Sequence, residues 1–170
     1  MSEQLNNQRE VFDIPDDLTY LNCAAQSPLL RTALDAGLHG VRRKARPWVA
    51  EERVAVRGEV ERSRELFGSL IGANAGDIAV IHASSYGLAI AAENLELAPG
   101  EQVLVIEDQF PSNFHVWRLK ALAAGAEMSI VPTPSDLDWT SAVVERINPK
   151  VGIVALPACR WNDGSTIDLV

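Results

Sequence analysis

Cysteine, histidine and lysine are scarce in this chain of 170 residues, and each scarcity narrows what it does. The two cysteines, Cys23 and Cys159, stand far apart with no metal-ligand spacing, so a disulfide is not expected and both read as free thiols. Three histidines, His39, His82 and His115, without an HxxxH or CxxC pattern, leave zinc without a ligand set, and no metal is expected. No apolar run approaches a membrane span, and the first ten residues lack a signal-peptide core. The expectation is a cytoplasmic protein with no membrane association. Positive charge is short as well: a formal net charge of -8 argues against sequence-independent binding to a phosphate backbone, so no nucleic-acid partner is expected. The one basic cluster, Arg42-Arg43-Lys44-Ala45-Arg46, suits the negative end of a helix. No GxGxxG or GxxxxGK[ST] follows an apolar run, which removes the dinucleotide fingerprint and the P-loop.

What remains is a composition with 47% hydrophobic and 22% charged residues, typical of a globular fold, in a chain long enough for one substantial core. Tyr20 to Ala25 reads as a short extended segment. Ser27-Pro28 offers an N-cap and first-turn proline for a helix through Leu30, Leu34 and Leu38 towards Arg46, stopped by Pro47, with Trp48 anchoring the connector that follows. From Glu51 to Ile71 charges alternate with Val54, Val60, Leu66, Phe67, Leu70 and Ile71, the pattern of an amphipathic helix with one buried stripe.

Beyond the breaker Gly72-Ala73-Asn74-Ala75-Gly76-Asp77, four apolar runs read as strands: 78–81, 102–106, 127–131 and 151–156. Helical patterns separate them, from Ser85 to Leu97, from about Phe114 to Ala124, and through Val143 and Ile147 behind a cap at Asp136 or Asp138. The βαβαβαβ order predicts an α/β fold with a mostly parallel sheet covered on both faces and right-handed crossovers. Ligands of such sheets sit outside the carboxyl ends of the strands, where loops 83–87, 108–113 and 157–164 converge.

In the first loop Ser84 and Ser85 stand at a helix start, where a hydroxyl either caps the helix or joins the backbone amides around a phosphate. The second loop brings Phe110, an aromatic face or a core residue, and Asn113, a polar group at a helix start. The third has a turn at Asn162-Asp163-Gly164 and, beside it, Trp161 facing the other two loops. A phosphate cradle, an aromatic platform and a polar rim together suit a planar phosphorylated cofactor.

The runs Tyr20 to Leu29, Ala83-Ser84-Ser85-Tyr86-Gly87-Leu88-Ala89, Phe110-Pro111-Ser112-Asn113 with Trp117, and Trp161-Asn162-Asp163-Gly164-Ser165 with Asp168-Leu169 carry a resemblance over nearly the whole chain. The sequence resembles the first part of a class V aminotransferase, a group that includes cysteine desulfurases, kynureninases and isopenicillin N epimerase. The resemblance implies a truncated large domain of the three-layer, fold-type I architecture and pyridoxal 5'-phosphate (PLP) as cofactor. It also implies an amino-acid substrate, transamination as the reaction and a homodimer. Residues 1–50 would serve the substrate side and 51–170 the cofactor-binding domain.

By the same resemblance Ser84, Ser85 and Tyr86 hold the cofactor phosphate, Phe110 stacks on its ring, Asn113 and Trp161 lie beside it, and Asn22, Ala24 and Ala25 lie near the substrate carboxylate. Three departures stand out. Asn113 replaces the aspartate of the kynureninase-like motif, the desulfurase histidine pair near Phe110 is missing, and none of Lys44, Lys120 and Lys150 falls where the family carries its Schiff-base lysine. The catalytic lysine is therefore not assigned, Asp168 is expected to cap a helix, and this chain alone is expected to be inactive. Desulfurase or lyase chemistry, a kynureninase-like reaction, and a non-catalytic binding protein are the alternatives.

Overall fold

Two parallel strands cannot be joined by a tight turn; the chain must cross the sheet between them, and a helix is the usual way to do so. The computed structural model describes residues 6–23 and 25–169, and contacts divide the chain into two compact units, Met1–Val80 and Ile81–Val170. The boundary expected at residue 50 falls at the start of a helix inside the first unit.

The second unit holds β1 (Gln102–Ile106), β2 (Glu127–Val131) and β3 (Val151–Val154) in one sheet of order β2-β1-β3, all parallel. The crossovers are α4 (Pro111–Ala124) between β1 and β2, and α5 (Trp139–Arg146) between β2 and β3; α3 (Ser84–Asn94) precedes β1. Pro111 at the first turn of α4 and Gly125 at φ +68 past its end follow the usual asymmetry of helix termini. Of the two acidic candidates for the α5 cap, Asp138 performs it, accepting the amide of Ser141 at 3.1 Å.

Because β1 is flanked on both edges and covered on both faces, its side chains alternate between two cores. Val103 and Val105 pack with Ala92, Trp117 and Ala121 under α3 and α4, while Leu104 and Ile106 pack with Val131, Trp139, Val143 and Ile167 on the α5 side. The architecture is helices, parallel sheet, helix in three layers. In β3 the register slips by one residue at Gly152, which leaves room for the Glu101 carboxylate: a Cβ there would lie 2.6 Å from Glu101 Oε2.

The run 78–81 is a correction to the sequence reading. Ile78 has extended torsions, yet the segment joins no ladder among the described residues, and Val80 and Ile81 are exposed. Branched apolar residues supply the tendency to extend, but a strand exists only through its hydrogen-bonded neighbours.

The first unit contains α1 (Arg31–Lys44) and α2 (Ala50–Ile71). α1 starts three residues later than Pro28 suggests. Leu30 occupies the cap position in an isolated bridge with Phe12, and the Arg31 guanidinium donates to the Phe12 carbonyl at 3.1 Å, so tertiary pairing rather than the serine sets the start. The Tyr20–Ala25 run forms no strand among the described residues; the Gln26 amide bonds back to the Asn22 carbonyl at 3.0 Å, closing a turn. Arg43 and Glu59 join α1 to α2 through a bidentate pair with both contacts at 2.6 Å. Trp48, expected to anchor its connector on the core, is 74% exposed. The stripe of Val60, Leu66, Phe67, Leu70 and Ile71 on α2 is also exposed, Leu70 at 80%, while Val54 lies outside the described side chains.

α2 ends at Gly72, φ +71, with the Ala73 amide returning to the Gly68 carbonyl at 2.8 Å. A Cβ on Gly68 would stand 2.6 Å from the Ala73 carbonyl oxygen, whereas one on Gly76 would meet nothing within 4 Å. Gly68→Ala is therefore expected to destabilise the first unit by about 1–3 kcal/mol in urea melting, the usual cost of overpacking a tight contact. Gly76→Ala is the control, expected to change the unfolding free energy by no more than about 0.5 kcal/mol.

Candidate active site

Chain direction alone brings three loops to one edge. α3 leads through the Pro99–Gly100 turn into β1, so it runs against the strand and its N-terminus lies at the edge where β1 ends. The N-terminus of α4 and the segment leaving β3 reach the same edge.

At the start of α3 the Ala83 carbonyl receives the amides of Tyr86 and Gly87 at 3.1 and 3.4 Å. No side chain caps the helix. The amides of Ser84 and Ser85 engage no acceptor among the described residues, and both residues are exposed. Of the two roles open to these serines, capping is not the one adopted. Gly87 is needed for approach, since a Cβ there would come within 2.7 Å of Ile81 Cδ1. The Tyr86 ring lies 4.9 Å from the ring of His82, tilted by 42°.

The loop after β1 is stitched to the end of β3 by side-chain amides. Gln109, buried, donates from Nε2 to the Ala155 carbonyl at 3.1 Å and accepts the Phe110 amide on Oε1 at 3.0 Å. Asn113 donates to the same carbonyl at 3.4 Å and accepts the Trp117 indole N–H at 2.9 Å. Both ends of Asn113 are thus committed inside the protein. Asp108 sits at φ +52, a left-handed conformation that aspartate tolerates better than most residues. Its carbonyl accepts the indole N–H of Trp161 at 2.9 Å. Phe110 and Trp161 meet edge to face, 5.8 Å between centroids at 79°, and they remain 49% and 54% exposed.

The loop after β3 closes through the Arg160 amide on the Ser165 carbonyl at 2.8 Å and the Gly164 amide on the Arg160 carbonyl at 3.1 Å, with Gly164 at φ +76. The turn expected at 162–164 is present. Arg160 is buried, pairs with Asp163 at 2.9 Å and lies 4.1 Å from the Trp139 ring centroid. The Ser165 amide first, with the Arg160 charge adding to it, holds the Asp163 carboxyl below its ordinary range. Nearby, the Thr133 amide and then its hydroxyl lower Glu107 in the same way, at 2.9 and 2.7 Å.

The structure therefore gathers Ser84, Ser85, Tyr86, Phe110, Asn113 and Trp161 onto one edge of the second unit. Asn22 and Ala25 belong to the first unit, both exposed, and Ala24 lies outside the described residues. The Asp168 amide donates to the Thr140 hydroxyl at 3.0 Å, and the helix Asp168 is expected to cap lies outside the described residues. No lysine stands in these loops: Lys44 ends α1, Lys120 is on α4, and Lys150 precedes β3 at the far edge. The buried roles of Gln109 and Arg160 went unrecognised in the sequence, where each is one polar residue in a polar loop. Among the described residues no helix is long and apolar enough to cross a membrane, and no three His, Cys, Asp or Glu side chains are placed to hold a metal.

The arrangement defines a fold-type I PLP-transferase architecture, and solved structures share it. A lysine-to-alanine variant of C-DES, with glycine covalently linked to its PLP cofactor, aligns with a TM-score of 0.80 at 19% identity over 96% of this chain and 44% of its own. The cystine C-S lyase C-DES in complex with its product cysteine persulfide gives 0.76, 19%, 91% and 42%. The Escherichia coli cysteine desulfurase CsdA gives 0.77, 22%, 95% and 43%. The chain spans less than half the length of these proteins. No curated protein matches it. The aminotransferase class-V family model matches residues 19–169, and the chain belongs to that family.

Asn113 carries a direct structural expectation. Asn113→Ala leaves the Trp117 indole N–H without its acceptor in a buried position, which is expected to cost about 1–3 kcal/mol in urea melting.

Proposed function

We propose that this chain is the cofactor-cradling part of a PLP-dependent enzyme acting on an amino acid, with transamination as the reaction. One observation carries the reading: an exposed aromatic pair, Phe110 and Trp161, stands at the same sheet edge as a helix N-terminus whose Ser84 and Ser85 amides and hydroxyls are unengaged. The donor set fits the cofactor class of the family. Exposed N–H and O–H groups at a helix start suit a dianionic phosphate, and an aromatic face suits a planar ring.

In this reading Ser84 and Ser85, with Tyr86 beside them, donate to the phosphate, and Phe110 and Trp161 flank the ring and shield it from water. Asn113 acts from beneath, fixing the loop that presents Phe110. Bound PLP supplies an electron sink for charge developing next to the substrate nitrogen. Because no lysine stands in the loops, the 170 residues alone are proposed to bind without turnover. A homodimer and a cytoplasmic location belong to the same proposal.

A second reading, carbon–sulfur lyase or desulfurase chemistry, is favoured by the names of the structural neighbours. Cys23 and Cys159 are free and exposed, but neither stands among the residues proposed to hold the cofactor.

Titration of the chain with PLP is expected to show saturable binding that Phe110→Ala combined with Ser85→Ala weakens at least about tenfold, the equivalent of ~1.4 kcal/mol. Ser129→Ala in β2 serves as the control. Unchanged affinity in the double variant contradicts the site. In a longer form containing the lysine, keto acid production supports transamination, and sulfide release from cysteine supports the second reading.

A further inference from the structure

Arg160 is a buried cation outside the set of residues proposed to touch the cofactor. Its side chain is 3% exposed, and its position is one residue before Trp161. Burying a guanidinium is costly unless other groups receive it. Two contacts receive it directly, the Asp163 carboxylate at 2.9 Å and the face of Trp139, itself fully buried, at 4.1 Å from the ring centroid, and the Glu107 carboxylate lies within reach of its charge. Among the described residues the Nε–H of Arg160 has no acceptor, and neither has the indole N–H of Trp139. Among the described residues, the direct hold on the guanidinium is the ion pair with Asp163 and the cation–π contact with Trp139, with the Glu107 charge adding to it.

Both contacts constrain the turn that carries Trp161. Asp163 lies in the same turn and also receives the Ser165 amide at 2.9 Å, so Arg160 ties the turn to itself. Trp139 begins α5 and belongs to the core on the opposite face of the sheet from α3 and α4, so the same side chain ties the turn to the body of the second unit. Trp161 is consequently fixed from two directions, by this anchor through its own backbone and by the Asp108 carbonyl on its indole N–H. An exposed indole has no packing of its own to hold one orientation, and its edge-to-face geometry against Phe110 needs an external constraint.

We propose that Arg160 is a positioning residue for the aromatic platform: clamped between Asp163 and Trp139, it holds Trp161 in register with Phe110, and through Trp161 it sets the affinity for the cofactor ring. The cofactor half of this statement rests on the proposed function; the anchoring half does not.

The test uses the 170-residue chain and two readouts. The four indole N–H resonances of Trp48, Trp117, Trp139 and Trp161 are assigned by single Trp→Phe variants. In Arg160→Gln the Trp161 indole N–H is expected to shift and exchange with solvent about tenfold faster, while Trp117, bonded to Asn113, keeps its resonance. Affinity for PLP is expected to fall about three- to tenfold, the range associated with losing one oriented aromatic contact. Arg160→Lys restores part of both, because the charge stays while the planar fork is lost.

Asp163→Asn, at an exposed partner, gives a milder change in the same direction and serves if Arg160→Gln fails to fold. An unmoved Trp161 resonance in Asp163→Asn and Arg160→Gln overturns the anchor. Moved resonances with unchanged PLP affinity overturn the positioning role. Moved resonances in a chain whose wild type binds no PLP overturn the proposed function and the cofactor half together, leaving the anchor standing.

Discussion

Parallel pairing on both edges of β1 is the constraint from which the second unit follows. A parallel ladder requires each strand to be re-entered from the same end, so α4 and α5 must cross the sheet, and α3 must run against β1 to deliver the chain to its start. All strand exits then lie on one edge. The alternation of Val103 and Val105 against Leu104 and Ile106 supplies the packing that holds this arrangement from both faces. The edge acquires its side chains as a by-product of topology, and its order comes from polar cross-links.

Those cross-links explain why exposed aromatic residues keep a defined geometry. The Ala155 carbonyl receives amides from Gln109 and Asn113, which fixes the β1 exit against the β3 exit. Asp108, in a left-handed conformation, turns its carbonyl to Trp161, which fixes the β3 exit against the β1 exit. Phe110 and Trp161 are thus ordered by hydrogen bonds made beneath and beside them. The start of α3 is different in kind, because its donors are left open. An ordered apolar surface next to unspent donors is the combination expected of a site for a flat anion.

The α/β order, β1, β2, β3 and their helices were legible because each is a branched apolar run or a periodic helix bounded by glycine or proline, and each finds its partner inside the second unit. The run 78–81 has the same local character and forms no ladder, which shows that strand pattern encodes a tendency and pairing decides. Trp48 and the α2 stripe failed for a related reason: apolar character does not say which surface will cover a residue. At the edge, Phe110, Trp161 and the two serines were visible as residue types at strand ends. Gln109 and Arg160 were not, since a polar residue in a loop looks alike whether it is solvated or buried against a carbonyl or an indole. The family assignment rests on the joint order of several short motifs, which single-residue chemistry does not supply.

In the proposed site the phosphate and the ring of one cofactor are received by the α3 start and the aromatic pair. The most direct measurement compares PLP with pyridoxal, which lacks the phosphate, by following backbone amide and indole N–H resonances of the chain. PLP is expected to move the Ser84 and Ser85 amides together with the Trp161 indole, and pyridoxal to leave the two serine amides in place. Shifts confined to the surroundings of Lys44, Lys120 and Lys150, with the serine amides unmoved by PLP, would contradict the proposed site.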